Sequence, residues 1–427
     1  MKRLRAGKKN CLNESQALVS TLNKKKTIVL AYSGGLDTSF CVPYLRETHD
    51  CDVISVTVDT GGFAPGEVEE IESRAKELGV VEHRTIDARR EVFDRYAAYL
   101  VKGNVLRGGV YPLSVSAERV VQAEVVAQVA RETGSDAVAH GSTGAGNDQV
   151  RFDTAFQVLL AGVPVITPIR DLKLSRQEEF EYLEKRGIEI SRDVKDYSIN
   201  TGLWGATIGG GETHDAWAEI PESVFAQASG QETVDGQEYL EIGFEKGLPV
   251  SLNGKAMDAV EIVGEIGRHC APLGVGRGIH VGDTVLGIKG RIAFEAGAAI
   301  VLIEAHRELE KITTTQWQRF WKDHIADFYG KMLHEGQVFD PVMRDIEALI
   351  DSSQAHVSGD VRVRLERERL QVVGTRSTHS MMDAAAGVYG EMPRLWTGED
   401  VAGFTTITGI PAQLYRKAEQ RDGSNPG

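Results

Sequence analysis

A buried strand that runs straight into a glycine-rich turn and then a helix limits this fold more than any other feature. Thr27-Ile28-Val29-Leu30-Ala31-Tyr32 is apolar and β-branched without alternation, the pattern of a strand covered on both faces. Ser33-Gly34-Gly35 interrupts it, and Thr38 to Glu47 carries a helical pattern. The unit recurs. Val53–Val58 precedes a charged helix near Glu67–Leu78, and Glu82–Ile86 leads through Asp87-Ala88-Arg89-Arg90 into another helix. The amphipathic stretch Ala117–Thr133 precedes a short strand, Ala137–His140. Strands alternating with helices predict βαβ units, a parallel sheet and right-handed crossovers. Ligands of such sheets sit beyond the carboxyl ends of the strands, where both glycine-rich segments of the chain fall.

The rhythm changes after about residue 190. Gly209-Gly210-Gly211 is followed by a strand-and-turn segment, Glu241–Asn253, and by an alternating stretch, Gly359–Gly374, that predicts an antiparallel hairpin. Trp317–Leu333 and Pro341–Ser352 have helical patterns, and a short helix is expected at Pro411–Gln420 before a disordered end at 421–427. The expected class is α/β: a flexible N-terminal extension (1–26), a parallel-sheet nucleotide-binding domain (27–190), a mixed α+β domain (191–395) and a C-terminal helical tail (396–427). No internal repeat is visible.

Composition narrows the function. A net charge of −14 over 427 residues disfavours a nucleic-acid partner, because neutralising phosphates takes a basic face. Cys11, Cys41, Cys51 and Cys270 form no Cys-x-x-Cys pair, so neither a disulfide framework nor a thiolate metal site is expected. No apolar run approaches the ~18 residues of a membrane helix, and the basic N-terminus lacks the apolar core of a secretion signal. Cytoplasm is the expected location, and no membrane partner is expected.

Two segments carry chemistry. In Ala31-Tyr32-Ser33-Gly34-Gly35-Leu36-Asp37-Thr38-Ser39, two glycines let backbone approach a ligand, and three hydroxyls and a helix N-terminus supply donors. Together they make a pyrophosphate cradle, in which Asp37 either meets Mg²⁺ or caps the helix. The plainer alternative is a tight strand–helix turn. The string Ser-Gly-Gly-Leu-Asp-Thr-Ser resembles the PP-loop of ATP pyrophosphatases, which release pyrophosphate and transfer AMP. The second segment, His140-Gly141-Ser142-Thr143-Gly144-Ala145-Gly146-Asn147-Asp148-Gln149-Val150-Arg151-Phe152, suits an amino-acid clamp. Asn147 and Asp148 can meet an ammonium and a carboxylate, and Arg151 can pair bidentately with a carboxylate. The alternative is a loop that caps the next helix through Asn147 or Asp148.

Both segments together are similar to the argininosuccinate synthase family. Tyr111-Pro112-Leu113 with Arg119, Tyr197-Ser198-Ile199 before Leu203-Trp204, Phe244-Glu245-Lys246-Gly247 with Leu252-Asn253-Gly254-Lys255, and Ala305-His306-Arg307 extend the similarity over about residues 27–375. The resemblance implies a ligase, a homotetramer built with its C-terminal tail, and a reaction in which MgATP adenylates the ureido oxygen of citrulline before L-aspartate displaces AMP. By matching positions it assigns Ala31 to Ser39, Val58 and Gly141 to ATP. It assigns Thr143, Asn147 and Asp148 to aspartate, with Tyr111 beside them. The acceptor region falls to Tyr111, Ser116, Arg119, Asn147, Arg151 and Thr207. Asp37, Arg119 and Asp148 are the residues expected to carry the chemistry, and Mg²⁺ is expected to arrive with ATP, since no His/Asp/Glu cluster has metal spacing.

The match breaks at chosen places. Ser114-Val115 stands where the family has Gly-Thr, Ala145 replaces a lysine, and Gly209 falls where a glutamate is usual. Gly282 and Phe294 replace the Glu and Tyr that, by the resemblance, hold the amino-acid end of citrulline. Two readings stay open: citrulline bound with help from Asp283 or Glu212, or a different ureido or carbonyl acceptor. Trp204 and Trp217 are expected to be packing anchors, and His140 and His306 to serve structure.

Overall fold

A computed structural model describes residues 25–144, 146–190, 196–384, 386–387, 390–392 and 394–422. The N-terminal extension expected at 1–26 lies mostly outside the described residues, as do Cys11, Ala145 and the last five residues of the expected disordered end. The chain divides into two compact units, Met1–Thr378 and His379–Gly427.

The first unit begins with the anticipated parallel sheet. Strands β1 (Lys26–Ala31), β2 (Cys51–Asp59), β3 (Glu82–Asp87), β4 (Ala137–Ala139) and β5 (Val165–Ile166) lie in the order β3-β2-β1-β4-β5, all parallel. The order reverses at β1, so the loops leaving β1 and β4 flank one crevice, the place where doubly wound sheets bind ligands. Helix α1 (Leu36–His49) follows β1, and α2 (Glu67–Glu77) follows β2. Helix α3 (Ser114–Thr133) turns Val120, Val121, Ala123, Val126, Ala127 and Ala130 into the core. Helices α4 (Asp148–Leu159) and α5 (Arg176–Glu184) follow β4 and β5.

Two antiparallel sheets follow. β6 (Tyr197–Gly202), β7 (Gly205–Gly210), β11 (Arg277–Asp283) and β12 (Lys289–Glu295) form one, in the order β11-β12-β7-β6. β8 (Gln237–Glu245), β9 (Leu248–Leu252), β10 (Lys255–Ala256), β13 (Gly359–Glu366) and β14 (Arg369–Arg376) form the other, and β13–β14 is the expected hairpin. Helices α6 (Ala259–Cys270), α7 (Gly297–Thr313), α8 (Gln316–His334) and α9 (Val342–Ser353) are the longer helices of this portion. One hydrophobic cluster runs from Val29 and Val56 through Trp204 and Phe294 to Leu365, so the parallel sheet and the mixed portion share a core.

The second unit holds a single long helix, α10 (Gly398–Asp422). The short helix expected from Pro411 is a correction: the helix starts thirteen residues earlier, and Pro411 lies inside it, where a proline usually marks an end. Trp217 is a second correction. It is 95% exposed and anchors nothing, whereas Trp204 is buried and donates its indole N–H to the Pro112 carbonyl at 3.0 Å. Among the described residues no helix is long and apolar enough to cross a membrane.

Candidate active site

The loop after β1 is held open by its own backbone. Gly34 has φ +74°, and a Cβ there would meet Ile71 Cγ1 at 2.8 Å, so a side chain is excluded by conformation and by space. Gly35, at the helix N-cap, is extended and has no side chain to bond the first turn of α1. The N–H groups of that turn therefore face outward with the positive end of the helix dipole, an anion site. Ser33 Oγ lies 3.2 Å from Thr38 Oγ1 and accepts from the Gly35 N–H at 3.4 Å. Arg74 of α2 donates to the Gly34 carbonyl, and Tyr32 OH lies 3.4 Å from Ser39 Oγ. Ala31 ends β1 and Val58 is the last residue but one of the neighbouring β2, and Leu36 is buried at the start of α1. Gly141 approaches so closely that a Cβ on it would lie 3.1 Å from Thr38 Cγ2, which brings the two glycine-rich loops together.

Asp37 does not cap α1. Its carboxyl stands against Glu179 of α5; burial raises it, and burial and then Asp37 push Glu179 up to about 8.

The second loop is fixed from below. His140 Nδ1 accepts from the Ser142 N–H at 3.2 Å, which places the ring proton on Nε2, 2.9 Å from Asp153. Gln149 donates to the carbonyls of Gly144 and Gly146 and keeps the loop curled, with Thr143 exposed at its tip. Neither Asn147 nor Asp148 caps α4. Asn147 Oδ1 instead accepts from the Val285 N–H at 2.9 Å, which ties the loop to the β11–β12 turn. Asp148 accepts from Arg119 Nε and from Arg151 Nη1, each at 2.9 Å. Burial opposes its ionisation, but the two guanidiniums hold the carboxyl below its ordinary value. Arg119 also reaches Asn200 Oδ1 at 2.6 Å, and Arg151 spends its other donors on the His334 carbonyl and Ser116 Oγ. Arg151 is therefore a brace between α3, α4 and α8 more than an open carboxylate clamp.

A cavity of about 230 Å³ opens beside this network. It brings together Tyr111, Ser116, Asn147, Asp148, Arg151 and Thr207, all anticipated, with Arg107, Asn200, His280 and His334, which were not. The newcomers belong to no local motif and meet only through sheet pairing and the end of α8. Tyr111 OH, Ser114 Oγ and Thr207 Oγ1 form a hydroxyl triangle with edges of 2.9, 2.9 and 3.4 Å. Ser114 thus supplies a hydroxyl that Val115 lacks. Glu212 does not line the cavity, and the Asp283 carboxylate pairs with Lys289 at 2.6 Å.

An uncapped helix N-terminus at the switch point thus lies beside an amino-acid-sized cavity. Residues 27–189 match the family model described as "Arginosuccinate synthase N-terminal HUP domain", and residues 197–415 match the corresponding C-terminal domain. The chain belongs to the argininosuccinate synthase family. Named argininosuccinate synthases from Methanocaldococcus jannaschii and Pyrococcus furiosus are 36% and 38% identical to it, covering 93% and 91% of this chain and 100% and 93% of the relative. A third, from Dehalococcoides mccartyi, is 38% identical over 92% of this chain and 96% of its own length. The family makes the chain a carbon–nitrogen ligase that uses ATP. The loop after β1 and the Arg119–Asp148–Arg151 network fall in the part matched by the N-terminal family model, and His280 and Gly282 in the part matched by the C-terminal one.

Proposed function

We propose that the chain catalyses the reaction its family is named for: ATP activates the ureido oxygen of a citrulline-type acceptor, pyrophosphate leaves, and the L-aspartate amine displaces AMP to form a new C–N bond. With citrulline the product is argininosuccinate. The observation that carries this reading is the cradle itself. It offers backbone N–H groups and hydroxyls to a polyphosphate, offers no lysine of the γ-phosphoryl-transfer type, and abuts an amino-acid-sized cavity.

The residues divide the work. The Gly34–Thr38 backbone and the Ser33, Thr38 and Ser39 hydroxyls grip the departing pyrophosphate. Thr143 and the free amide of Asn147 face aspartate, and Tyr111, Ser116 and Thr207 face the acceptor. Arg119 and Arg151, locked on Asp148, fix the distance between the loops, which matters because a ureido oxygen is a weak nucleophile and must be held against the α-phosphate. The donor set also fits magnesium carried in with ATP, since Asp37 offers a carboxylate and Ser33 and Thr38 offer hydroxyl oxygens. Bound there, the ion would neutralise charge on the leaving pyrophosphate.

The proposal includes a cytoplasmic homotetramer, supported by the apolar residues Phe404, Ile407 and Leu414 left exposed along α10. Pyrophosphate release from MgATP that requires both L-aspartate and a ureido acid is the expected result for purified protein. Release of ADP and phosphate, or none with any ureido acid, would refute the reading. A second reading, an acceptor other than citrulline, is favoured by the composition of the cavity floor.

A further inference from the structure

The cavity floor is one face of the sheet β11-β12-β7-β6. Register places Gly282 opposite Gly290, His280 opposite Ile292, Phe294 between Gly278 and Thr207, and Ser198 opposite Gly209 on that face. Side chains of paired residues share a face, so this floor contains no carboxylate. His280 stacks on Tyr111 with centroids 5.7 Å apart, and a Cβ on Gly282 would stand 2.5 Å from its Nε2. The imidazole therefore fills the space that a side chain at 282 would need. Its Nε2 is buried, faces the strand, and has no hydrogen-bond partner among the described residues.

The carboxylates bordering the cavity are already committed. Asp148 holds Arg119 and Arg151, and Asp283 turns outward to Lys289. The cations are not fully matched. Arg107 lines the cavity, donates to the Asp283 carbonyl at 2.7 Å, and makes no ion pair among the described residues. His280 and His334 stay neutral, because burial and then the neighbouring arginines lower both. Among the described residues a ligand ammonium would find no uncommitted carboxylate on this floor, whereas a ligand carboxylate would find Arg107, which feels Glu335 and Asp283 without forming an ion pair with either.

Resting on the ligase reading, we propose that the acceptor is a ureido acid whose far end carries a carboxylate and no free ammonium, its α-amine absent or acylated. Arg107 recognises the carboxylate, and the His280–Gly282 floor disfavours the amine.

The test compares L-citrulline with 5-ureidopentanoate, the same chain without the amine, using full-length protein, MgATP and L-aspartate. Expected is a kcat/KM for 5-ureidopentanoate at least about tenfold above that for L-citrulline. Equal values, or a preference for citrulline, would overturn the proposal while leaving the ligase reading intact. If neither compound releases pyrophosphate, calorimetric binding with MgATP present decides the proposal, and the ligase reading is judged separately by the wider set of ureido acids. Tighter binding of 5-ureidopentanoate upholds it; equal, weaker or absent binding overturns it. The double variant His280→Ala/Gly282→Glu makes room for a carboxylate on the floor. It is expected to move the selectivity toward citrulline by about tenfold or more, and an unmoved ratio in folded protein would overturn the assignment to this face.

Discussion

Arg119 joins α3 to the second loop and to β6, because one guanidinium reaches Asp148, Gln122 and Asn200 at once. Lysine keeps the charge but offers a single point donor, so Arg119→Lys frees either the second loop or β6. We expect pyrophosphate-release kcat/KM to fall about 100-fold with little change in the circular dichroism spectrum. Gly34→Ala meets both a left-handed φ and Ile71, and is expected to raise KM for ATP at least about tenfold. Glu118 on α3 gives a pH prediction. Its carboxyl is fully buried beneath Gly202, and burial pushes it from 4.5 up to about 8. Between those values the unfolded chain releases the proton and the folded chain keeps it, so wild-type stability falls as pH rises through that window. Glu118→Gln removes the effect. Its thermal midpoint should exceed wild type by roughly 2–5 °C at about pH 9 and by much less at about pH 5.

Among the elements, α7 and α8 are joined by a buried ion pair. Lys322 and Glu310 are 1% and 2% exposed and 2.7 Å apart, and Asn104 and Gln354 donate to the remaining oxygen positions of Glu310. Lys322→Met leaves that carboxylate buried without a cation, at a cost of about 3–5 kcal/mol in denaturant unfolding. The double variant Glu310→Gln/Lys322→Met should recover most of the loss. The elements also explain what the sequence revealed and what it hid. β1 and β2 were visible because strands buried on both faces are continuous apolar runs. β11 and β12 were not, because Gly278, Gly282 and Gly290 erase the alternation on the face that lines the cavity. The same glycines line or border the cavity, so the least regular strands hold a residue that the local motifs missed: His280 on β11, met by Arg107 and His334 from elsewhere in the chain. α10 was shortened because Gly398, Gly403, Gly409 and Pro411 all count against a helix locally.

At the scale of the whole molecule, the parallel sheet and the β11-β12-β7-β6 sheet share one core, and the cavity lies where the Asn147 loop meets the β11–β12 turn. The phosphate chemistry was legible in a single string of residues; acceptor chemistry depends on three-dimensional register and was legible only as departures from a family pattern. The central claim, oxygen activation by AMP, has a direct test. The ureido oxygen of whichever acceptor is turned over is labelled with oxygen-18, and AMP is analysed by mass spectrometry after reaction with MgATP and L-aspartate. The account predicts one labelled oxygen in each AMP formed, together with pyrophosphate. Unlabelled AMP, or ADP and phosphate in its place, would contradict it.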